Sequence, residues 1–410
     1  MIPAASRTWP SPWPAICFCA ALLLGWVGVP AGLGAAERPP TVTAASILGG
    51  QTSGPGFAVD PQVVSDGFVN SFTLRMGSGT FDVVGNRLMQ IRLNELAALR
   101  RLQAMSQSDA FRRSLGETAA APLRFGQNLL TDPEGTLRGS VSGVANMFDR
   151  VGSAVSNIGN SRGNVANAVL GVDSARRELA FELGVDPNTD FPPLAAALAD
   201  MARATAGGSL TVRALTLAVP GAAGLAIGTT ATMQSVRELL RDRTSSQILD
   251  HVRQVLRGLG VPSGVAGRLI ANRAYSATDL LVIATALNTL RAQETAIFVE
   301  RAAEAVDRDE AFFQRGRAEM LAAQGVRLRL TEFVAIGGFP LNRARDGRVV
   351  AVFPFDALAW TDRAERAFTA ATTALRRTGG TPGTLVMSGT ITPMAQSEVT
   401  RLGWTVARVP

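Results

Sequence analysis

The chain of 410 residues carries 40 basic side chains, 33 acidic ones and a single histidine; every basic residue is arginine, and the formal net charge is +7. The absence of lysine excludes Schiff-base chemistry, a P-loop lysine and a Ser/Lys dyad. One histidine, with cysteine only at Cys17 and Cys19, removes the usual zinc arrangements, and 47% hydrophobic with 18% charged residues describes a folded chain with more than one core.

The first 36 residues read as an export signal. Arg7 supplies the positive start, residues 15–29 (AICFCAALLLGWVGV) the apolar core, and Gly34-Ala35-Ala36 or Val29-Pro30-Ala31 the small residues of a cleavage site, with cleavage expected after Ala36. The apolar run is shorter than the roughly 20 residues that span a bilayer, which weighs against an uncleaved anchor. Both cysteines fall inside this segment, and its removal takes away the one charge of Arg7, leaving a formal balance of +6. In an exported protein that balance fits an anionic membrane surface or an envelope protein. It does not fit nucleic acid, which would call for a basic run or an aromatic stacking platform.

Residues 37–66, rich in Pro, Thr, Ser and Gly, are expected to form a flexible leader. Residues 71–76 and 80–84 alternate around Gly77-Ser78-Gly79 and predict a hairpin. A helix follows, with Leu88, Ile91, Leu96, Leu99, Leu102 and Met105 as its buried stripe and Arg87, Arg92, Glu95, Arg100 and Arg101 marking a wet face. Ser108 is placed to cap a further helix carrying Phe111 and Leu115.

The segment from Gly135 to Gly163 is the most unusual in the chain. Leu137, Val141, Val144, Phe148, Val151, Val155 and Ile158 recur in steps of four and three, one continuous helical stripe. Most other positions are Gly or Ser, and Gly135, Gly139 and Gly143 lie four apart on one face, a spacing that lets helix backbones approach closely. Each glycine costs a helix about 1 kcal/mol relative to Ala, so the segment needs a surface to fold against. Three surfaces fit: the protein's own helical core, a lipid surface, or a partner protein. A phosphate loop does not, since no strand precedes the glycines and no lysine accompanies them.

Residues 164–184 predict a conventional helix, residues 184–193 (GVDPNTDFPP) a structured connector, and residues 194–204 a short alanine-rich helix. Residues 214–236 contain no charge, but Pro220-Gly221 near the middle favours a buried hairpin over a span. Helices are expected over 237–259, twice over 261–290, with Thr278 and Asp279 as cap candidates, and over 295–324. The last 85 or so residues change to strands at 327–336 and 348–353, a helix at 362–377, a strand at 384–388, a helix from Thr392-Pro393 and a final strand at 405–409, the spacing of a parallel βαβ crossover. The fold class expected is therefore α+β and predominantly helical. In domain terms it comprises a hairpin with helices over 67–131, a helical region over 132–325 and a small α/β unit over 326–410.

The sequence points to no catalytic residue, cofactor or metal. His251, on a helix beside Asp250, lacks an accompanying nucleophile elbow. Asp186, Asn188 and Asp190 have the opening spacing of a calcium loop, but Phe191 and Ala197 stand where its Gly and Glu belong, which leaves a capped turn. Asp307, Asp309 and Glu310, interleaved with Arg308, read as a solvated face. These features favour an exported, non-enzymatic envelope protein that associates through the glycine-rich stripe. The alternatives are an exported hydrolase using carboxylate or Ser chemistry, with Asp356 and Asp362 as candidate carboxylates, or a toxin-like protein inserting residues 214–236.

Overall fold

Alternation of apolar and polar residues begins well before the predicted hairpin. The computed structural model describes residues 36–108, 111, 144, 147, 148, 170–206 and 231–409. The chain opens with β1 (Val42–Thr43), α1 (Ala44–Leu48), β2 (Ser53–Gly54), β3 (Phe57–Val59) and β4 (Gln62–Ser65), followed by β5 (Asn70–Met76) and β6 (Gly79–Val84). The expectation of a flexible leader is corrected here, because Val59 and Val63 are buried and their strands pair with β5. β5 is the spine of this antiparallel sheet: β4 and β3 share one edge, and β6 takes the other from Ser71 to Met76. The inward residues Phe72, Leu74, Phe81 and Val83 pack on α2 (Asn86–Gln107) through Leu88, Met89, Leu96 and Leu102.

α3 (Leu170–Leu183) and α4 (Pro192–Ala206) complete that first core with Leu179, Leu183, Leu198 and Met201. Six further helices follow: α5 (Ala231–Asp242), α6 (Ser245–Gly258), α7 (Ser263–Ala271), α8 (Ala277–Leu290), α9 (Thr295–Ala303) and α10 (Arg308–Leu328). The single helix expected over 237–259 is broken at Thr244, whose hydroxyl accepts the Gln247 N–H while the Gln247 side chain answers to the Thr244 N–H, a complete capping box. The span 295–324 is likewise two helices, because Asp307 caps α10 by accepting from the Glu310 N–H at 2.9 Å. Between α7 and α8 the expected break is present, but the cap is Ser276 and not Thr278 or Asp279, which lie within the helix, Asp279 closing the box from its third position. No described helix is long and apolar enough to cross a membrane.

The C-terminal sheet runs in the order β13-β11-β9-β8-β7, built from β7 (Leu330–Ile336), β8 (Phe339–Ala344), β9 (Val349–Phe353), β11 (Thr384–Met387) and β13 (Thr405–Arg408). β10 (Ala357–Leu358) and β12 (Thr390–Ile391) form a small parallel pair beside it. The crossovers through α11 (Asp362–Arg377) and α12 (Pro393–Arg401) make β9, β11 and β13 parallel, as the strand and helix spacing requires. β8 was not expected: Pro340 and Asn342 break its apolar pattern, yet Gly337 and Gly338 at φ 56° and 82° make a tight turn that folds it back on β7. One face of the sheet, with Phe333, Val350, Val352 and Val386, packs on the core of α5 to α10. The other, with Leu341, Val349, Ala351, Phe353 and Leu385, packs with α11 and α12, so the α/β unit shares a core with the helices.

Candidate functional site

α10 carries an unusual load for a helix at the centre of a fold, since Glu310, Gln314, Arg315 and Arg317 are all buried along with Phe312, Phe313 and Leu321. Burying an isolated charge costs several kcal/mol, so each of these groups needs partners. Arg317 donates to the carbonyls of Val352 at 2.9 Å and of Pro340. Arg315 is met by Asp279, fully buried in the first turn of α8, whose carboxylate receives Arg315 at 3.0 Å, Arg308 at 2.6 Å, and the N–H and hydroxyl of Ser276 at 2.7 Å each. Arg308 reaches on to Asp190 at 2.7 Å, Asp190 to Arg92 at 2.7 Å, and Arg92 to Glu95 at 2.6 Å. On the other side Arg315 approaches Glu319 at 3.7 Å, and Glu319 pairs with Arg87. Arg87 and Arg92 both belong to α2, so the chain of ion pairs closes on itself through that helix. Arg87, Arg92, Arg308 and Arg315 balance Glu95, Asp190, Asp279 and Glu319, and the network as a whole is neutral.

Phe312 lies among these charges, with the guanidinium carbons of Arg87, Arg308 and Arg315 at 5.7, 5.5 and 5.4 Å from its ring centre. Its ring face is a weak acceptor for three cations that an apolar neighbour would leave unattended. Phe191 does the same for Arg92 at 5.2 Å. Burial alone would push the carboxyls of Asp190 and Asp279 up, but the arginines outweigh it: Arg92 and Arg308 hold Asp190 below the usual carboxylate range, and Arg308 and Arg315 do so for Asp279. Glu95 goes the other way, because burial outweighs the attraction of Arg92 and the hydrogen bond from Thr189.

The connector at residues 184–191 supplies Asp190 and is itself locked. Asp186 accepts the Asn188 N–H and the Thr278 hydroxyl, both at 2.7 Å, and the Thr189 hydroxyl donates to Glu95 at 2.5 Å. The expected capped turn is present, and among the described residues no cluster of acidic, histidine or cysteine side chains is placed to hold a metal. Two expectations are corrected. Arg92 and Glu95, placed on a wet face by their spacing, are buried because the connector covers and neutralises them. Asp309 and Glu310 do not form a solvated face: Glu310 is fully buried, and Asp309 is half-buried.

A second constellation surrounds the glycine-rich stripe. Leu137, Val141, Val151, Val155 and Ile158, and the glycines Gly135, Gly139 and Gly143, lie outside the described residues. Val144 and Phe148 are described and buried, as is Met147 between them. The Phe148 ring stacks on Phe68 at 4.4 Å and meets Phe339, Phe353, Phe355 and Phe313 at 5.3 to 6.0 Å. The Met147 carbonyl accepts from Arg301, and its sulfur from the Gln314 amide at 3.0 Å. Val144, Met147 and Phe148 are thereby fixed where the N-terminal sheet, α10 and the C-terminal sheet converge.

Val144 also lines a cavity of about 40 Å³ with Arg87, Asp309, Phe312, Phe313, Gly316 and Asp356, room for a few waters. Burial, helped by Asp307, pushes Asp309 up to about 6. Burial also lifts Asp356 to about 6, against the pull of two backbone donors, the N–H groups of Asn70 at 3.0 Å and Asn86 at 2.9 Å. Asn86 begins α2, whose own cap residue Gly85 offers no side chain, so Asp356 caps that helix from the opposite end of the chain. Asp362 sits in the first turn of α11, and His251 lies half-buried on α6, its pKa lowered by burial and by Arg243.

Fold and site together define an α+β protein whose helical core is braced by a closed, charge-balanced ion network. No protein-family model, curated protein or solved structure matches the chain.

Proposed function

We propose that this is an exported, non-enzymatic envelope protein that associates with an anionic membrane surface or an envelope protein through its Gly/Ser-rich stripe. The observation that carries the reading is the seating of Val144, Met147 and Phe148. These three pack into the protein's own core, so the association falls to the apolar positions Leu137, Val141, Val151, Val155 and Ile158 that flank them in the sequence. The charged groups of the ion network are committed to one another, which suits a scaffold. A basic overall balance supports attraction to anionic lipid.

Flotation of the purified mature protein with anionic and with zwitterionic vesicles tests this. Binding to anionic vesicles that weakens with salt, and is lost in Val151→Asp with Val155→Asp, is expected; a folded wild-type protein that never floats at low salt overturns the membrane form.

A carboxylate-dependent hydrolase is favoured by one observation, that Asp309 and Asp356 line one cavity and both protonate near 6. Turnover of glycan, peptidoglycan or ester substrates that disappears in Asp309→Asn, with the fold intact, would establish that reading instead.

A further inference from the structure

Glu37, the residue after the expected cleavage point, is tied into the C-terminal unit by three bonds. Its backbone N–H donates to the Trp360 carbonyl at 2.9 Å. Its carboxylate Oε1 accepts from the Trp360 N–H at 2.5 Å and from the Thr392 hydroxyl. Both partners stand at helix starts. Trp360, buried, precedes Thr361, which caps α11 by accepting from the Ala364 N–H at 3.3 Å. Thr392 caps α12 by accepting from the Ala395 N–H at 3.1 Å, so its hydroxyl gives its proton to Glu37 and its lone pair to the helix. The Glu37 carboxylate therefore lies between two helix N-termini, where the partial positive charge favours an anion.

We propose that Glu37 is the first residue of the mature protein and that its new α-ammonium docks on the Trp360 carbonyl, completing a latch between the processed terminus and the C-terminal unit. The inference rests on the export reading. In the processing step, carried out by an export-pathway peptidase, water splits the Ala36–Glu37 amide. The hydroxyl goes to the Ala36 carbonyl carbon, and the proton to the Glu37 nitrogen, which takes up a further proton from solvent to become ammonium. This cut leaves the donor to Trp360 in place and gives it a charge, which strengthens the bond. A cut further along would remove the side chain that clasps Trp360 and Thr392, and then β1, which pairs with β4 at Val42 and Thr43. A cut after Ala31 would leave five residues hanging from the docked position.

The lack of lysine makes the test direct, because the α-amine is the only primary amine in the protein. The full precursor, expressed with its own leader in a bacterial host, is recovered from the exported fraction, treated with a succinimidyl ester, and read by intact mass and by its N-terminal peptide. A chain beginning at Glu37 is expected, with its amine labelled about tenfold more slowly in the native protein than in urea. Glu37→Ala should abolish that protection with the circular dichroism unchanged. Glu37→Gln, which keeps the accepting oxygen, should give an intermediate rate if the Ala variant is poorly processed. An exported chain beginning elsewhere, or a Glu37 amine that labels equally fast folded and unfolded, overturns the latch and leaves export standing. A chain found only in the cytosol and starting at Met1 overturns the export reading itself.

Discussion

Two neighbouring residues of α10 look into different worlds. Phe312 faces three guanidinium groups of the ion network, whereas Phe313 belongs to the aromatic cluster, 6.0 Å from Phe148 and 6.1 Å from Phe355. On the Phe312 side every contribution is conditional, since a buried charge stabilises only while its partner is present. On the Phe313 side contacts are additive and weakly directional, so a loss is felt in proportion to the volume removed. The charged side fixes which groups of α2, the connector, α8 and α10 meet. The aromatic side supplies apolar burial and holds both Phe148 and the C-terminal sheet.

The largest effect should come from breaking the conditional side at its most shared member. Asp279→Ala removes the partner shared by Arg308 and Arg315, leaving them only Asp190 and Glu319, and is expected to cost about 3 kcal/mol in urea unfolding; a cost under about 1 kcal/mol would show that the network is not held as a set. Phe148→Ala removes the ring central to the aromatic cluster and should cost about 3 kcal/mol with the unfolding transition still cooperative. A loss of cooperativity there would mean that Phe148 joins separable parts, and would erase the distinction between the two sides.

The smallest effect is a pH slope. The folded-state pKa of Asp356 is raised to about 6 by burial, above its unfolded value of about 3.9, so the native state binds more protons between those values. Its contribution is fully present below the unfolded pKa and is lost as pH rises through about 6. Thermal melts of wild type should therefore lose stability relative to Asp356→Asn across that window. Parallel melting curves for the two proteins would refute the assignment. Asp190, depressed by Arg92 and Arg308 against the opposing effect of burial, has the opposite sign and loses its contribution as pH falls below the ordinary carboxylate range.

Much of the architecture was legible in the residues. The hairpin around Gly77-Ser78-Gly79, the division of residues 261–290 into two helices, and the parallel crossovers follow from period, cap and turn chemistry. The breaks at Thr244 and Asp307 were equally local, a capping box and a capping Asp, but the apolar period running across them hid the signal. β8 was hidden because Pro340 and Asn342 interrupt an alternation that its pairing with β7 makes unnecessary. The stripe announced itself by period alone, and of its seven apolar positions the structure describes Val144 and Phe148, both turned inward.

What the sequence determined by itself was local: where helices start and stop, where strands alternate, that the chain has no lysine, and that a glycine-rich stripe interrupts ordinary helical composition. What only the tertiary structure decided was which charges are buried. Arg92 and Glu95 have the spacing of a solvated face, and nothing within α2 distinguishes them from Arg100, which is exposed. They lie inside because Asp190, 98 residues after Arg92, and Thr189, 94 residues after Glu95, come to meet them. Helical period reports polarity along one element, but the free energy of a buried ion depends on partners brought from elsewhere in the chain.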